Sequence, residues 1–245
     1  TNQPENNKEG TTNRANFNLS GPLAGEALTM RLYGNINKTE PDAWDINHAQ
    51  NGSYAAGREG VRNKDINALL SWKMTPQQIL DFSYAYSRQG NIYAGDTQYS
   101  NGNLSPNGLV DSLYGHETNR LYRQSWGLTY NGLWDWGQSK AGVYYEKTNN
   151  TRLQEGSTGR VEGMINSEDY ATSRLESWRT TSEFNVPFFW LADQTLTLGM
   201  EWNHDQLDDP ASMQATNSNG ETIPGTSGDP TQRSTKNSAT LTGIY

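Results

Sequence analysis

Cysteine is absent from the sequence, which removes disulfide frameworks and thiolate metal sites from consideration. No apolar run approaches the ~18–20 residues of a transmembrane helix, so a helical membrane protein is excluded. That test leaves membrane-spanning strands open, because their signal per segment is far weaker. Only 33% of residues are hydrophobic and the mean hydropathy is −0.89, values that alone would suit a disordered chain. Positive charge is also scarce. With 19 Lys and Arg against 27 Asp and Glu, the formal charge is −8; there is no long basic run, and nucleic-acid binding has no electrostatic support. His48, His116 and His204 lie far apart with no metal-ligand spacing, and read as loop or rim residues. Asp42–Asp45 and Asp208–Asp209 lack the glycine and final glutamate of a calcium loop, and read as solvated loop charge. No phosphate-binding, dinucleotide or nucleophile-elbow motif occurs, so nothing points to an enzyme.

Aromatic residues are plentiful, with 8 Trp, 13 Tyr and 5 Phe, and disordered chains are poor in such rings. The low hydropathy and the high aromatic content agree if apolar side chains are dispersed along strands. Alternation of apolar and polar residues marks a half-buried strand. It is clear in Ala27–Asn37, Asp65–Lys73, Ile79–Ser87 and Thr195–Asn203. Weaker versions run through Arg14–Ser20, Tyr122–Tyr130, Lys140–Glu146, Trp178–Val186 and Ser238–Tyr245. Arg31, Asp65, Lys73, Asp81, Lys140, Glu146 and Glu201 all fall opposite the apolar stripe. A charge facing lipid at the bilayer midplane costs about 2–4 kcal/mol, so a membrane barrel requires this segregation, and a soluble sheet would show it too.

Connection lengths decide between the two. Tight turns are expected at Gly21–Gly25, Met74–Gln78, Asp135–Gly137 and Pro187–Asp193. Long polar stretches alternate with them at Lys38–Gly60, Gln89–Glu117, Asn149–Arg174 and Gln206–Thr235. Short turns at one rim and long loops at the other are the bacterial barrel pattern, with the long loops outside the cell. Several long connections would be unusual in a globular domain. The Asn-Gly pairs starting at Asn51, Asn101, Asn107, Asn131 and Asn219 read as turn chemistry. Trp72, Trp134, Trp136, Phe188, Phe189 and Trp190 crowd the tight-turn end, whereas Tyr86, Tyr122, Tyr145 and Trp202 lie towards the loops. Amphipathic rings form such girdles at two membrane interfaces. The expected fold is all-β: an antiparallel transmembrane β-barrel segment of about ten strands. Residues 1–245 would be part of a larger barrel, since two unpaired edges are not viable in lipid. Residue patterns alone leave three functions open: a ligand-gated importer, a passive porin or adhesin barrel, and a soluble Trp-rich carbohydrate-binding or hydrolase β-domain.

Longer words narrow this. FNLSGPL (Phe17–Leu23), RLYGNINKTEPDAWDIN (Arg31–Asn47), AGREGVRNKDIN (Ala56–Asn67), YSRQGNIYAGDTQ (Tyr86–Gln98), ETNRLYRQSWGLTYNGLWDWG (Glu117–Gly137) and LTLGMEWN (Leu196–Asn203) are collinear with one family. They closely resemble the TonB-dependent ferric enterobactin receptors of the Gram-negative outer membrane. The resemblance implies a barrel of about 22 strands, a plug domain and later strands not included in residues 1–245, and TonB-driven uptake of a ferric catecholate siderophore. It implies no resident cofactor, iron travelling only within the siderophore complex. Partners implied are the siderophore, TonB through a box outside this segment, and outer-membrane lipid and lipopolysaccharide. Ferric tris-catecholates are anionic and aromatic, and suit guanidinium groups and rings. The candidates are Arg88, Tyr93, Arg120, Tyr122 and Arg123 bracketing one long loop, with Trp44, Arg58 and Arg62 flanking another. The competing reading pairs these arginines with carboxylates such as Asp96 and Glu117, or with lipopolysaccharide phosphates.

Overall fold

The computed structural model describes residues 7–47, 57–94, 113–155, 165–209 and 232–244. Nine strands form one sheet: β1 (Thr12–Ala24), β2 (Leu28–Thr39), β3 (Gly60–Thr75), β4 (Gln78–Ile92), β5 (Asn119–Trp134), β6 (Gly137–Glu155), β7 (Ile165–Trp190), β8 (Ala192–Asp209) and β9 (Gln232–Ile244). Each is antiparallel to its sequence neighbour, and their spatial order is their order along the chain. This is an up-and-down wall. The expected count of about ten becomes nine among the described residues, one for each alternating segment read in the sequence.

Directly opposed residues of antiparallel strands point to the same side, so the register sorts every strand position onto one of two faces. One continuous row reads Leu19, Leu32, Ala68, Tyr84, Trp126, Tyr145, Trp178 and His204. A second, nearer the tight turns, reads Met30, Leu70, Phe82, Leu128, Val143, Thr180 and Trp202. Rings interlock along this face: Tyr84 lies 4.5 Å from Trp126, and Tyr145 4.7 Å from Trp178. The opposite face carries Asp65, Asp81, Arg123, Lys140, Glu146, Arg179 and Glu201. Its polar groups bond across strands, as in Ser71–Asp81 (2.6 Å), Arg123–Glu146 (2.6 Å) and Arg179–Glu201 (2.7 Å).

No second layer covers the apolar face among the described residues. Leu19, Ile66, Trp126, Leu128, Val143, Trp178, Met200 and Trp202 are all exposed, and the buried apolar residues lie near the loops instead. A sheet with its apolar face uncovered and its polar face internally bonded is built for hydrocarbon outside and water inside.

Strands differ from expectation in four instructive places. The polar stretch Asn149–Arg174, expected as a loop, is largely strand, with β6 and β7 in unbroken register as far as Leu153 and Tyr170 and paired again, past a register shift, at Glu155 and Ile165. Beyond the membrane both faces meet water, so the ladder continues without any apolar alternation to announce it. The turns are also tighter than expected. β7 runs through Pro187 to Trp190, and Leu191 alone, at φ 64°, links it to β8. Pro187 is tolerated because the β6–β7 ladder begins only at Gln138, opposite Asn185, so no ladder partner needs its missing N–H on that side. Gly21–Leu23 likewise belong to β1, and the turn centres on Gly25, at φ 54°. Asn131 and Gly132, expected as a turn, sit within β5, paired with Lys140 and Ser139. Asn51, Asn101, Asn107 and Asn219, with His48 and Asp96, lie outside the described residues.

Candidate functional site

The long connections at one end of the sheet define the candidate rim. Two of them are tied together at their bases. Asp42, just past β2, is buried and accepts hydrogen bonds from the Gly10 and Arg58 amides at 2.9 and 2.7 Å. The Tyr114 hydroxyl donates to the Asp42 carbonyl oxygen. Burial, then the charges of Asp42 and Asp45, push the Tyr114 phenol up, so it remains a donor. The Tyr93 amide donates to the His116 carbonyl (2.8 Å), and Gly115 donates back to the Tyr93 carbonyl (2.9 Å). Ile92, Tyr93, Ala94 and Leu113 are buried in this knot. The sequence reading passed over Asp42 as solvated charge and did not single out Tyr114. The apolar run Ile92–Ala94 directly after a strand was the available signal.

The rim places the eight expected residues in four settings. Tyr93 is only 4% exposed and serves the knot. Trp44 and Arg58 stand exposed on the β2–β3 connection, Arg58 lying 3.7 Å from Asp42. Arg123 is on the polar, inward face, its guanidinium side chain 56% exposed while bonded to Glu146. Arg62, Arg88, Arg120 and Tyr122 occupy the other face, continuing the rows of the apolar stripe. There Arg88 lies opposite Tyr122, with its guanidinium 5.6 Å from the ring, and Arg62 and Arg120 flank Gly90. Arg120 lies over the Tyr170 ring at 5.2 Å. The sequence cluster is therefore split by the sheet, and only Arg123 of its arginines looks inward.

Arg88 is committed to Glu117 at 2.5 Å, with side chains 12% and 14% exposed. Burial alone would raise the Glu117 carboxyl. The hydrogen bond from Arg88 and the charges of Arg88, Arg62 and Arg120 outweigh it and hold Glu117 below the ordinary carboxylate range. A carboxylate stands over Gly90, where any Cβ would meet its Oε1 at 2.7 Å.

A single antiparallel wall, apolar outside, polar inside, with tight turns below and tied long connections above, is a stretch of outer-membrane β-barrel. No family model matches the sequence. Individual proteins do. The chain is 47% identical, over its whole length, to the ferric enterobactin receptor PirA of Pseudomonas aeruginosa. It is 51% identical over 86% of its length to a probable TonB-dependent siderophore receptor of Acinetobacter baumannii, and 47% identical over 89% to the ferrienterobactin receptor of Escherichia coli K12. Among solved structures, the siderophore receptor PirA of A. baumannii superimposes with a TM-score of 0.80 at 46% identity, over 98% of this chain and 34% of that one. A ferric enterobactin receptor mutant from P. aeruginosa, solved in complex with enterobactin, gives 0.79 at 45% identity over 98% of this chain and 35% of that one. The chain belongs to the family of TonB-dependent outer-membrane siderophore receptors. It spans 33%, 28% and 31% of the three curated relatives named.

Proposed function

We propose that the chain forms part of the wall and mouth of an importer that takes up ferric catecholate siderophores with energy from TonB. The observation that carries this is similarity, along nearly all of this chain and about a third of theirs, to receptors named for ferric enterobactin. Further strands would pair the free edges of β1 and β9, closing a barrel of about 22 strands, and a plug domain would gate it. Transport requires no bond making on the ligand, and the chain's own contribution is capture and guidance.

An anionic, aromatic complex is held by guanidinium charge and by stacking rings. The residues we assign to meet it are Trp44 and Arg58, exposed on the β2–β3 connection, and Arg123 on the inward wall. Glu146 keeps Arg123 extended along that wall, and an incoming catecholate oxygen would compete for the same guanidinium. Arg62, Arg88, Arg120 and Tyr122 are turned away from the lumen and receive no ligand role. The test is ferric tris-catecholate binding to the complete receptor carrying Arg123→Ala, with heat-modifiable mobility as a check on folding. A fall in affinity of tenfold or more is expected. Unchanged affinity in Arg123→Ala and in the double variant Trp44→Ala/Arg58→Ala would overturn the assignment.

A further inference from the structure

One lumenal row near the outer rim is built from side-chain amides. Across β2 to β6 it reads Asn37, Asn63, Gln89, Leu121 and Asn150. The row one pleat nearer the tight turns carries charge instead, reading Asn35, Asp65, Ser87, Arg123 and Thr148. Neighbouring strands lie about 4.8 Å apart, so Asn37, Asn63 and Gln89 stand side by side, and Asn150 ends the run beyond Leu121. All but Asn37 line, with Glu59 and Asn119 above them, a recess of about 440 Å³. Small-molecule sites occupy roughly 300–1,000 Å³.

Amides on adjacent strands can satisfy one another, as Asn35 does by donating to Asn16 in the row beneath. In the upper row they do not. The side chains of Asn63, Gln89, Asn119 and Asn150 form no hydrogen bond among the described residues, and Asn37 Oδ1 and Asn150 Oδ1 are buried without a partner. Buried polar atoms are ordinarily paired, so these oxygens mark a place for a polar visitor. The upper edge of the recess is fixed by contrast. Asn91 donates to Glu59 (3.1 Å) and to Thr118 Oγ1 (2.7 Å), and accepts from the Thr118 and Asn119 amides at 3.0 and 2.9 Å. Charge then selects the visitor. The lining holds no Lys or Arg and one carboxylate, Glu59, so an anion would meet repulsion with no compensating cation. Each amide offers donor and acceptor in one plane, the pair that adjacent ring hydroxyls of a sugar require. Val61 and Leu121 supply an apolar floor for its C–H face.

We propose that Asn63, Gln89, Asn119 and Asn150 form a lumenal subsite for an uncharged hexose. Leu121 and Arg123 share a face two residues apart, about 6.6 Å along the strand, so a sugar in the recess adjoins the residue assigned to the anionic complex. The hexose reaches the recess either free in solution or attached to the catecholate cargo. The second source rests on the transport proposal above; the first does not.

The experiment uses the complete receptor in a sugar-free detergent, with heat-modifiable mobility as the check on folding. Saturation transfer from the protein to methyl glucoside reads the free sugar. Titration with a ferric catecholate and with its glucosylated counterpart reads the attached one. The parent should transfer saturation to methyl glucoside, or bind the glucosylated complex at least fivefold more tightly than the plain one. Asn63→Ala/Gln89→Ala/Asn150→Ala should lose the transfer and bring the two complexes within twofold of each other, with affinity for the plain complex held. Ser125→Ala, lumenal and beneath Arg123, should behave as the parent. Replacing glucose by glucuronate, free or attached, should remove the effect. Transfer without an affinity gain assigns the sugar to solution, and a gain without transfer assigns it to the cargo; either upholds the site. Neither effect in the parent, an effect that survives in the triple variant, or glucuronate equal to glucose overturns it. If the plain ferric catecholate itself fails to bind the parent, the transport proposal falls, and methyl glucoside alone decides the subsite.

Discussion

Placing a charge on the outward face of β5 is the sharpest test of the wall. Leu128 lies midway along the strand, opposite Phe82 and Val143 and 43% exposed in the sheet. On a soluble sheet an exposed Leu→Arg change shifts stability by about 0.5 kcal/mol or less. Facing hydrocarbon near the midplane, the same change costs about 2–4 kcal/mol, or roughly 30- to 900-fold in the folding equilibrium at 1.36 kcal/mol per decade. Thr129, the adjacent residue, points inward and bonds to the Tyr144 hydroxyl at 3.2 Å. Thr129→Arg loses that bond and gains a lumenal charge, a cost of about 1 kcal/mol. The assay is reversible unfolding of the complete receptor in lipid vesicles, followed by tryptophan fluorescence and heat-modifiable mobility. Leu128→Arg should shift the midpoint far more than Thr129→Arg. Equal shifts, or a negligible one for Leu128→Arg, would refute the assignment of faces and the membrane reading with it.

Other perturbations probe the rim and one close contact. Glu117 is held below its ordinary range, so its pairing with Arg88 stabilises the folded rim above the unfolded carboxyl's pKa of about 4; that contribution disappears as pH falls through the lowered folded value. Hydrogen exchange at the β4–β5 tip should accelerate in that acid window, and Glu117→Gln should remove the pH dependence while costing about 1.5–3 kcal/mol at neutral pH. Asp42→Ala strands the Gly10 and Arg58 amides, a loss of about 1–3 kcal/mol for each unsatisfied buried donor; limited proteolysis of the β2–β3 connection should quicken while the barrel midpoint holds. Gly34→Ala would place a Cβ 2.7 Å from the Phe17 ring and 2.4 Å from the Asp65 carbonyl oxygen, and overpacking of this kind costs about 1–3 kcal/mol. A fall in the unfolding midpoint checks it, with Ser20→Ala as a neutral neighbour.

The wall was legible because one physical demand writes it. Hydrocarbon on one side and water on the other impose a period of two, and all nine strands carry at least part of it. Where the demand lapses the sequence falls silent. The polar ladder from Asn149 to Arg152 opposite Ala171 to Arg174 has water on both faces, and nothing in its residue types separates strand from loop. The knot was hidden for a different reason. Asp42 and Tyr114 are 72 positions apart, and only the folded sheet brings their loops together. The sheet puts Arg120 and Arg123 on opposite faces, and the sequence carries the signal for that split. Trp126, Leu128 and Tyr130 already mark even positions of β5 as outward, so an odd spacing of three puts the two arginines on opposite faces.

That parity turns the NRLYR word into a ruler. Side chains of β5 alternate between two environments, so alanine at Arg120, Leu121, Tyr122 and Arg123 should alternate in consequence. Even positions touch the outward row beside Arg62, Lys64 and Arg88, and their loss should change siderophore affinity little. Odd positions face the lumen, and their loss should act on siderophore capture, most at Arg123, where the charge itself is removed. Tyr122→Ala also removes the ring beneath the Arg88 guanidinium, so it should loosen the β4–β5 tip, read by hydrogen exchange, without weakening capture. A smooth decline of siderophore affinity along the four positions would mean that the rim acts as one surface, and that the face on which an arginine stands does not decide its partner. An alternating response, read on the same four proteins, would mean that a single strand offers the cargo only every second side chain of its sequence.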